Sequence, residues 1–358
     1  RRILLYDCKP FTYYGFTIEF LYAILNWRGD KVATKEKILE LFEKNRGIYF
    51  SGEDIAQRLS VSRAAVWKAV KALQSDGYAI DAVTNKGYCL SEKTDILSVQ
   101  GIRKYLCSDI KGSDISVLQT ASSTNALVRD KANSGVPEGC MILANEQTCG
   151  RGRLGRSFFS PRDTGIYMSL LLRPKNYTGE QAVRITTMAA VAICEAIEAV
   201  SDQKAEIKWV NDIYVRGKKV CGILTEGSFN LESGLLEYAV LGIGINLYQP
   251  ENGFPKDLED IAGSVLQTQQ DDAKNRIVSE FLNRFYFYYH RADQEKYVGQ
   301  YQKRSFVVGK QVALLSTDRS TDALVLGIDD QCRLLVKYAD GTEDCYSSGE
   351  ISVRFTKD

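Results

Sequence analysis

From Thr34 onward the apolar positions recur at helical spacing. Ile38, Leu39, Leu41 and Phe42 form one stripe, and Gly47 follows to end it. Ser51-Gly52-Glu53-Asp54 sets a hydroxyl cap three residues before an acid, and the helix it opens carries Ile55 and Leu59 four apart. After the short turn Ser60-Val61, Ser62 caps a further helix with Val66, Val70 and Leu73 on one face, closed by Gly77. The period then changes. YAIDAVTNKGYCL reads as two short strands around Asn85-Lys86-Gly87, a hairpin with a lysine at its tip. Two short helices, a tight turn and a hairpin predict a winged helix-turn-helix over residues 34–91. Its outward residues are Ser62, Arg63, Lys68 and Lys71 on the second helix and Lys86 on the wing. Their charges suit phosphates and the helix start suits base edges, which makes the helix-turn-helix from Gly52 to Lys71 a candidate DNA reader. A three-helix packing module with a solvated basic face would show the same pattern.

A short polar stretch, Ser91-Glu92-Lys93-Thr94, reads as a linker. From Asp95 helical and extended runs alternate, with glycine-rich turns, so residues 95–305 are predicted as a mixed α+β domain. Ile142–Ala144 and Ile166–Leu172 read as buried strands, and Thr186–Val200 as a buried helix. Tyr238–Leu247 reads as a strand whose Gly242 and Gly244 mark places where something approaches the backbone closely. Beyond residue 305, Val312–Leu315, Ala323–Ile328, Cys332–Tyr338 and Ile351–Phe355 are short strands with turns at Asp329-Asp330 and Asp340-Gly341, a small β-barrel over residues 306–358.

Phe11 to Trp27 is apolar enough to suggest a signal segment, but it contains Glu19 and lacks a small-residue cleavage site. Residues 27–30 back-translate to a purine-rich ribosome-binding stretch and Val32 to a GTG start, so residues 1–31 are expected to be untranslated leader read as protein. The charge balance, 46 basic against 45 acidic residues, places any DNA-binding surface in a local patch. Nine cysteines, scattered singly with no CxxC, fit reduced thiols in a cytoplasm. The chain has a single histidine, His290, inside the aromatic run FLNRFYFYYHRAD, where a structural helix residue is expected. That excludes an HExxH zinc site and points to chemistry in which the substrate supplies the nucleophile.

Two stretches carry the chemistry. Gly150-Arg151-Gly152-Arg153-Leu154-Gly155-Arg156 combines a permissive backbone with guanidinium forks that hold phosphate or carboxylate oxygens. No GK[ST] follows as in a Walker loop, and arginines between the glycines would crowd a dinucleotide turn. On the loop alone, an anion clamp and an RGG-like surface loop that touches nucleic acid both stay open. Lys208-Trp209-Val210-Asn211-Asp212 then sets Lys208 beside an aromatic residue at a strand end, where its ammonium can meet a ligand charge or simply face solvent.

Ser123-Thr124-Asn125, Asn145-Glu146-Gln147-Thr148 into GRGRLGR, KWVND, KVCGILTE and GIGIN, in this order and spacing, resemble the biotin protein ligases. With SGEDIAQRLSVSRAAVWKAVKAL in front, the chain resembles the bifunctional bacterial kind that also represses transcription, and the likeness runs from about Ala33 to the C-terminus. One departure is Val210, where the family usually has proline; no functional group is lost. The resemblance implies a central ligase domain related to class II synthetases and an SH3-like C-terminal barrel. It implies biotin, ATP and Mg²⁺ as substrates and cofactor. The implied partners are a biotin carboxyl carrier protein, operator DNA and a second copy of the chain once loaded with biotinyl-adenylate, in the cytoplasm and with no membrane. It places Ser123, Thr124, Asn125, Gln147, Arg151, Gly152, Arg153 and Lys208 at biotin, and Arg151, Arg153, Lys208, Gly244, Asn246 and Arg354 at ATP. Arg151, Arg153 and Lys208 become the catalytic cations, and Asp212 either orients Lys208 or meets the metal. A lipoate ligase and a ligand-sensing repressor without ligase activity are the alternatives.

Overall fold

The computed structural model describes residues 34–290, 294–315, 320–347 and 352–355. The expectation about residues 1–31 lies outside them. The chain divides between Thr94 and Asp95 into two compact units, where the polar linker was expected.

The first unit contains helix α1 (residues 34–44), α2 (Gly52–Leu59), α3 (Arg63–Ser75) and the hairpin of β1 (Ile80–Val83) and β2 (Gly87–Leu90). Its core is the predicted stripe: Ile38, Phe42, Ile55, Val66, Val70 and Leu73 are all buried. Ser51 Oγ accepts from Asp54 N at 3.0 Å and Ser62 Oγ from Ala65 N at 3.1 Å, so both predicted caps form. Gly77 takes the left-handed conformation beyond α3, with φ of 96°. Gly87 does more than turn the wing. A Cβ there would sit 2.1 Å from Phe50 O, where residues 50 and 88 bridge, so the base of the wing closes on the helical core only without a side chain.

The second unit is built on a seven-stranded sheet in the order β3-β4-β5-β9-β8-β7-β6. The strands are β3 (Ile115–Leu118), β4 (Met141–Ala144), β5 (Gly165–Leu172), β6 (Glu206–Lys208), β7 (Asp212–Val215), β8 (Lys218–Phe229) and β9 (Leu236–Asn246). Only β3 and β4 run parallel; the other neighbours are antiparallel. The helices are α4 (Val99–Tyr105), α5 (Thr124–Asn133), α6 (Gly179–Val200), α7 (Ala273–His290) and α8 (Gln294–Arg304). The predicted buried helix α6 starts at Gly179, earlier than Thr186, because Thr178 and Gln181 form a reciprocal capping box that extends it. His290 ends α7 with its ring stacked on Tyr286, 5.2 Å between centroids, the structural role expected for it.

The C-terminal part is a five-stranded antiparallel sheet, order β13-β12-β11-β10-β14. Its strands are β10 (Gln311–Leu315), β11 (Ser320–Ile328), β12 (Leu334–Lys337), β13 (Glu343–Tyr346) and β14 (Ser352–Phe355). It shares one compact unit with the seven-stranded sheet. Trp209 Nε1 donates to Cys332 O at 2.9 Å, and Tyr301 OH of α8 donates to Val210 O at 3.0 Å. The Trp209–Val210 peptide bond is cis.

Candidate functional sites

One face of the large sheet is paved across its strands. Lys208 pairs with Asp212, Asp212 with Gly222, Gly222 with Gly244, and Gly244 with Tyr167. Side chains alternate across a strand, so such a row shares one face. Along β9, Gly242 and Asn246 lie on that face too. The glycines are required by what lies on them. A Cβ at Gly242 would come within 2.0 Å of Asn125 Oδ1, and one at Gly244 within 2.4 Å of the Phe158 ring. The close approach expected at these positions is therefore made by Asn125 and Phe158.

Above this floor is a cavity of about 260 Å³. Ser123, Thr124, Asn125, Gln147, Arg151, Gly152, Arg153, Lys208, Asp212, Gly244 and Asn246 all line it. Residues spread over more than a hundred positions of sequence thus meet at one site, as the motif reading expects. Arg354 is the exception: its backbone lies in β14, paired with Ala313, and its side chain is outside the described residues.

One end of the cavity is a hydrogen-bonded polar wall. Thr124 begins α5, and Gln147 Oε1 accepts from its N at 2.9 Å and from its Oγ1 at 3.1 Å. Ser169 Oγ lies 2.7 Å from Thr124 Oγ1 and 2.6 Å from Asn125 Oδ1. Asn125 Nδ2 donates to Glu226 Oε2 at 2.7 Å, and Arg129 Nη1 to Glu226 Oε1 at 3.2 Å. Ser123 is buried at the helix start but makes no capping bond. The other end is apolar: Phe158, Phe254, Leu258, Ile261 and Ala262.

The arginine loop crosses the cavity as a folded strap. Gly152 N donates to Arg156 O at 2.7 Å, Phe158 N to Gly150 O at 2.9 Å, and residues 151 and 157 bridge. Leu154 and Gly155 take positive φ, 55° and 72°, which turns the strap back. Arg153 Nη1 donates to Asn211 Oδ1 at 2.9 Å, and Asn211 Nδ2 donates to Ile223 O at 2.9 Å. Burial lowers the Arg153 pKa below the ordinary arginine value, with the Asp212 charge working against that. Asp212 Oδ1 is 2.6 Å from Lys219 Nζ. Among the described residues, Arg151, Arg153, Arg156, Lys208 and Lys219 face the cavity against a single carboxylate, Asp212. Sequence reading missed Asn211 as the strap's latch, Lys219, Phe158 and Glu226. Asn211, Lys219 and Glu226 sat inside quoted motifs, KWVND and KVCGILTE, but Asn211 and Glu226 find their partners 58 and 101 residues away.

In the first unit Ser62 at the cap of α3 and Arg63, Lys68 and Lys71 on it are exposed, and Lys86 is exposed at the wing tip. Arg63 also lies 3.6 Å from Glu53 of α2. Trp67, which sequence reading left aside, is 52% exposed on the same helix, four residues from both Arg63 and Lys71. Among the described residues no helix is long and apolar enough to cross a membrane.

Comparison with known proteins agrees with this geometry. Residues 117–246 match the biotin/lipoate A/B protein ligase family, residues 34–89 an HTH domain, and residues 307–354 the biotin protein ligase C-terminal domain. The chain is 34% identical to the bifunctional ligase/repressor BirA of Bacillus spizizenii, over 88% of this chain and 97% of that protein. It is 27% identical to the protein of the same name from Escherichia coli, over 86% and 94%. The biotin protein ligase of Aquifex aeolicus, solved with biotin and ATP, shares the fold with a TM-score of 0.57 at 24% identity, covering 68% of this chain and 99% of that one.

Proposed function

The chain belongs to the family of bifunctional biotin ligase/repressors, and we propose how its own residues divide that work. The observation that carries the proposal is a cavity that gathers, among the described residues, five cationic side chains and one carboxylate between a polar amide end and an apolar end. The ligase joins biotin and ATP into biotinyl-5'-AMP with release of pyrophosphate. It then transfers biotin to a lysine of a biotin carboxyl carrier protein. Both first reactants are anions. Two like charges about 4 Å apart repel by about 4 kcal/mol at an effective dielectric of 20, roughly three decades in rate. Arg151, Arg153 and Lys208 offset that repulsion and hold the carboxylate against the α-phosphate. No side chain needs to act as nucleophile.

Biotin's ureido ring belongs at the polar end, where Ser123, Thr124, Asn125 and Gln147 present hydroxyls and amides. A lipoate dithiolane has no use for that many polar partners, which favours biotin over lipoate. The adenine belongs at the apolar end, with Asn246 and Gly244 toward the ribose. The strap, latched by Arg153 on Asn211, shields the mixed anhydride from water. The Asp212 carboxylate faces Lys219, and no group of three His, Cys, Asp or Glu side chains is gathered for a metal among the described residues. Mg²⁺ therefore fits as part of the nucleotide substrate, carried on its phosphates, and not as a resident ion.

In the winged unit, Ser62, Arg63, Lys68, Lys71 and Lys86 are proposed to contact operator DNA. Loading with the adenylate is proposed to favour a homodimer, whose paired wings would meet two half-sites. Sedimentation with and without biotin plus ATP tests that step: a monomer under both conditions removes it. For the catalytic assignment, Lys208→Ala should slow biotin-dependent ATP–pyrophosphate exchange about a hundredfold, the scale of one preorganised charge. Wild-type exchange from that variant removes Lys208 from the mechanism.

A further inference from the structure

The basic face of α3 surrounds an apolar side chain that the assignment above does not use. The helix buries Val66, Ala69, Val70 and Leu73 and leaves Trp67 outside, 52% exposed. Arg63, Trp67 and Lys71 stand four apart, so the indole lies in one row with two cations, and Lys68 follows it directly. A partner that covers this indole must also accept the cations. That favours a polyanion over an apolar protein face.

Phosphate contacts place a protein on DNA but carry no sequence. Sequence is read on base edges, from the start of the helix that enters the major groove. The start of α3 has few groups for that reading. Ser62 Oγ already accepts from Ala65 N at 3.1 Å. Ala64 and Ala65 have no polar side-chain group, and Arg63 lies 3.6 Å from Glu53. A helical side chain leans toward the N-terminus and covers the turn before its own Cα. Trp67 therefore lies over the turn of Arg63 and Ala64, and Ala64 is exposed and too short to hold the helix away from a groove. An apolar surface at that place has one apolar counterpart among the base edges of the major groove, the C5-methyl group of thymine. We propose that Trp67 reads thymine, with the indole packed on that methyl group while Lys68, Lys71 and Lys86 hold phosphates. This rests on the DNA-contact reading of the winged unit and assigns part of its sequence preference to one side chain.

The test removes the methyl group from the DNA and the indole from the protein. The full-length protein with biotin and ATP first selects its site from a pool of random-sequence duplexes. The selected duplex is then made with deoxyuridine in place of thymidine, one position at a time. For the unaltered protein at least one thymine should stand out, its replacement weakening binding about fourfold, the effect of one buried methyl group. Trp67→Ala should weaken binding to the selected duplex about tenfold and leave an unrelated duplex within about twofold. It should bind the thymine and uracil duplexes equally, the non-additivity of two groups in contact. Trp67→Phe should keep the preference for thymine. A thermal melt checks that each variant is folded. A Trp67→Ala protein that prefers thymine as strongly as the unaltered one overturns the proposal. So does equal weakening on the selected and unrelated duplexes, which puts the indole on the DNA backbone. Sedimentation runs alongside: a self-associated species lost in Trp67→Ala, with the thymine preference kept, gives the indole to a second copy of the chain and overturns the proposal as well. If the unaltered protein enriches no sequence from the pool, the DNA-contact reading fails first.

Discussion

Gly242→Ala tests the architecture of the polar end with one methyl group. The new Cβ would lie 2.0 Å from Asn125 Oδ1, 2.7 Å from its Cγ and 2.8 Å from its Nδ2, so the amide must leave its place. In leaving it gives up the 2.7 Å bond to Glu226 and the 2.6 Å contact with Ser169. A hydrogen bond to a charged group contributes about 1.5–3 kcal/mol and a neutral one about 1 kcal/mol, so the free protein should lose about 2–4 kcal/mol of stability. Biotin then meets a displaced Asn125. The loss of one well-placed hydrogen bond, about 1–2 kcal/mol, should weaken its binding by about five- to thirtyfold. Isothermal titration with biotin on the full-length variant reads this directly, with a thermal melt alongside to confirm that it is folded. Nucleotide binding serves as the internal control, because Gly242 carries Asn125 and not Phe158. Gly244→Ala should show the converse, since its Cβ meets the Phe158 ring at 2.4 Å. A folded Gly242→Ala protein that binds biotin within twofold of wild type would refute the placement of Asn125 against the vitamin.

Arg153→Gly removes the latch on Asn211 and should let biotinyl-5'-AMP escape, seen as biotin on lysines of bystander proteins by avidin blot; labelling confined to the carrier would count against the strap as a shield. Lys68→Ala on α3 should weaken binding to operator and unrelated DNA alike. It should also lower the salt dependence of binding by about one unit of log–log slope, measured by gel shift across a salt series; an unchanged slope takes Lys68 off the phosphates.

The local signals were strong where periodicity and caps agree. The stripe Ile38–Phe42 was visible because one helix face is buried, the caps Ser51 and Ser62 because each opens such a helix, and the runs that became β5 and β9 because most of their residues are buried on both faces. The cations of the strap and Lys208 were legible as chemistry, since arginines between glycines have few structural uses. β13 was missed because Glu343–Tyr346, EDCY, is exposed or half-buried throughout and shows no apolar alternation. Three-residue β6 is too short to have a period, though its last residue is Lys208. Phe158, Lys219 and Glu226 were missed for a different reason. Each has an ordinary residue type, and its meaning comes from a partner brought near only by the sheet: Gly244 under Phe158, Asp212 beside Lys219, Asn125 against Glu226. Glycines 242 and 244 announced a close approach but not its direction.

The bonds from Trp209 to Cys332 and from Tyr301 to Val210 tie the two residues that follow Lys208 to the small C-terminal sheet and to α8. A three-residue edge strand has little rigidity of its own, so the lysine it ends on borrows its aim from a module more than a hundred positions downstream. The C-terminal sheet is thus the mount of the ammonium proposed to hold the reacting carboxylate against the phosphate. Damage there would reach the chemistry as a misdirected charge in a protein whose binding pocket still looks intact.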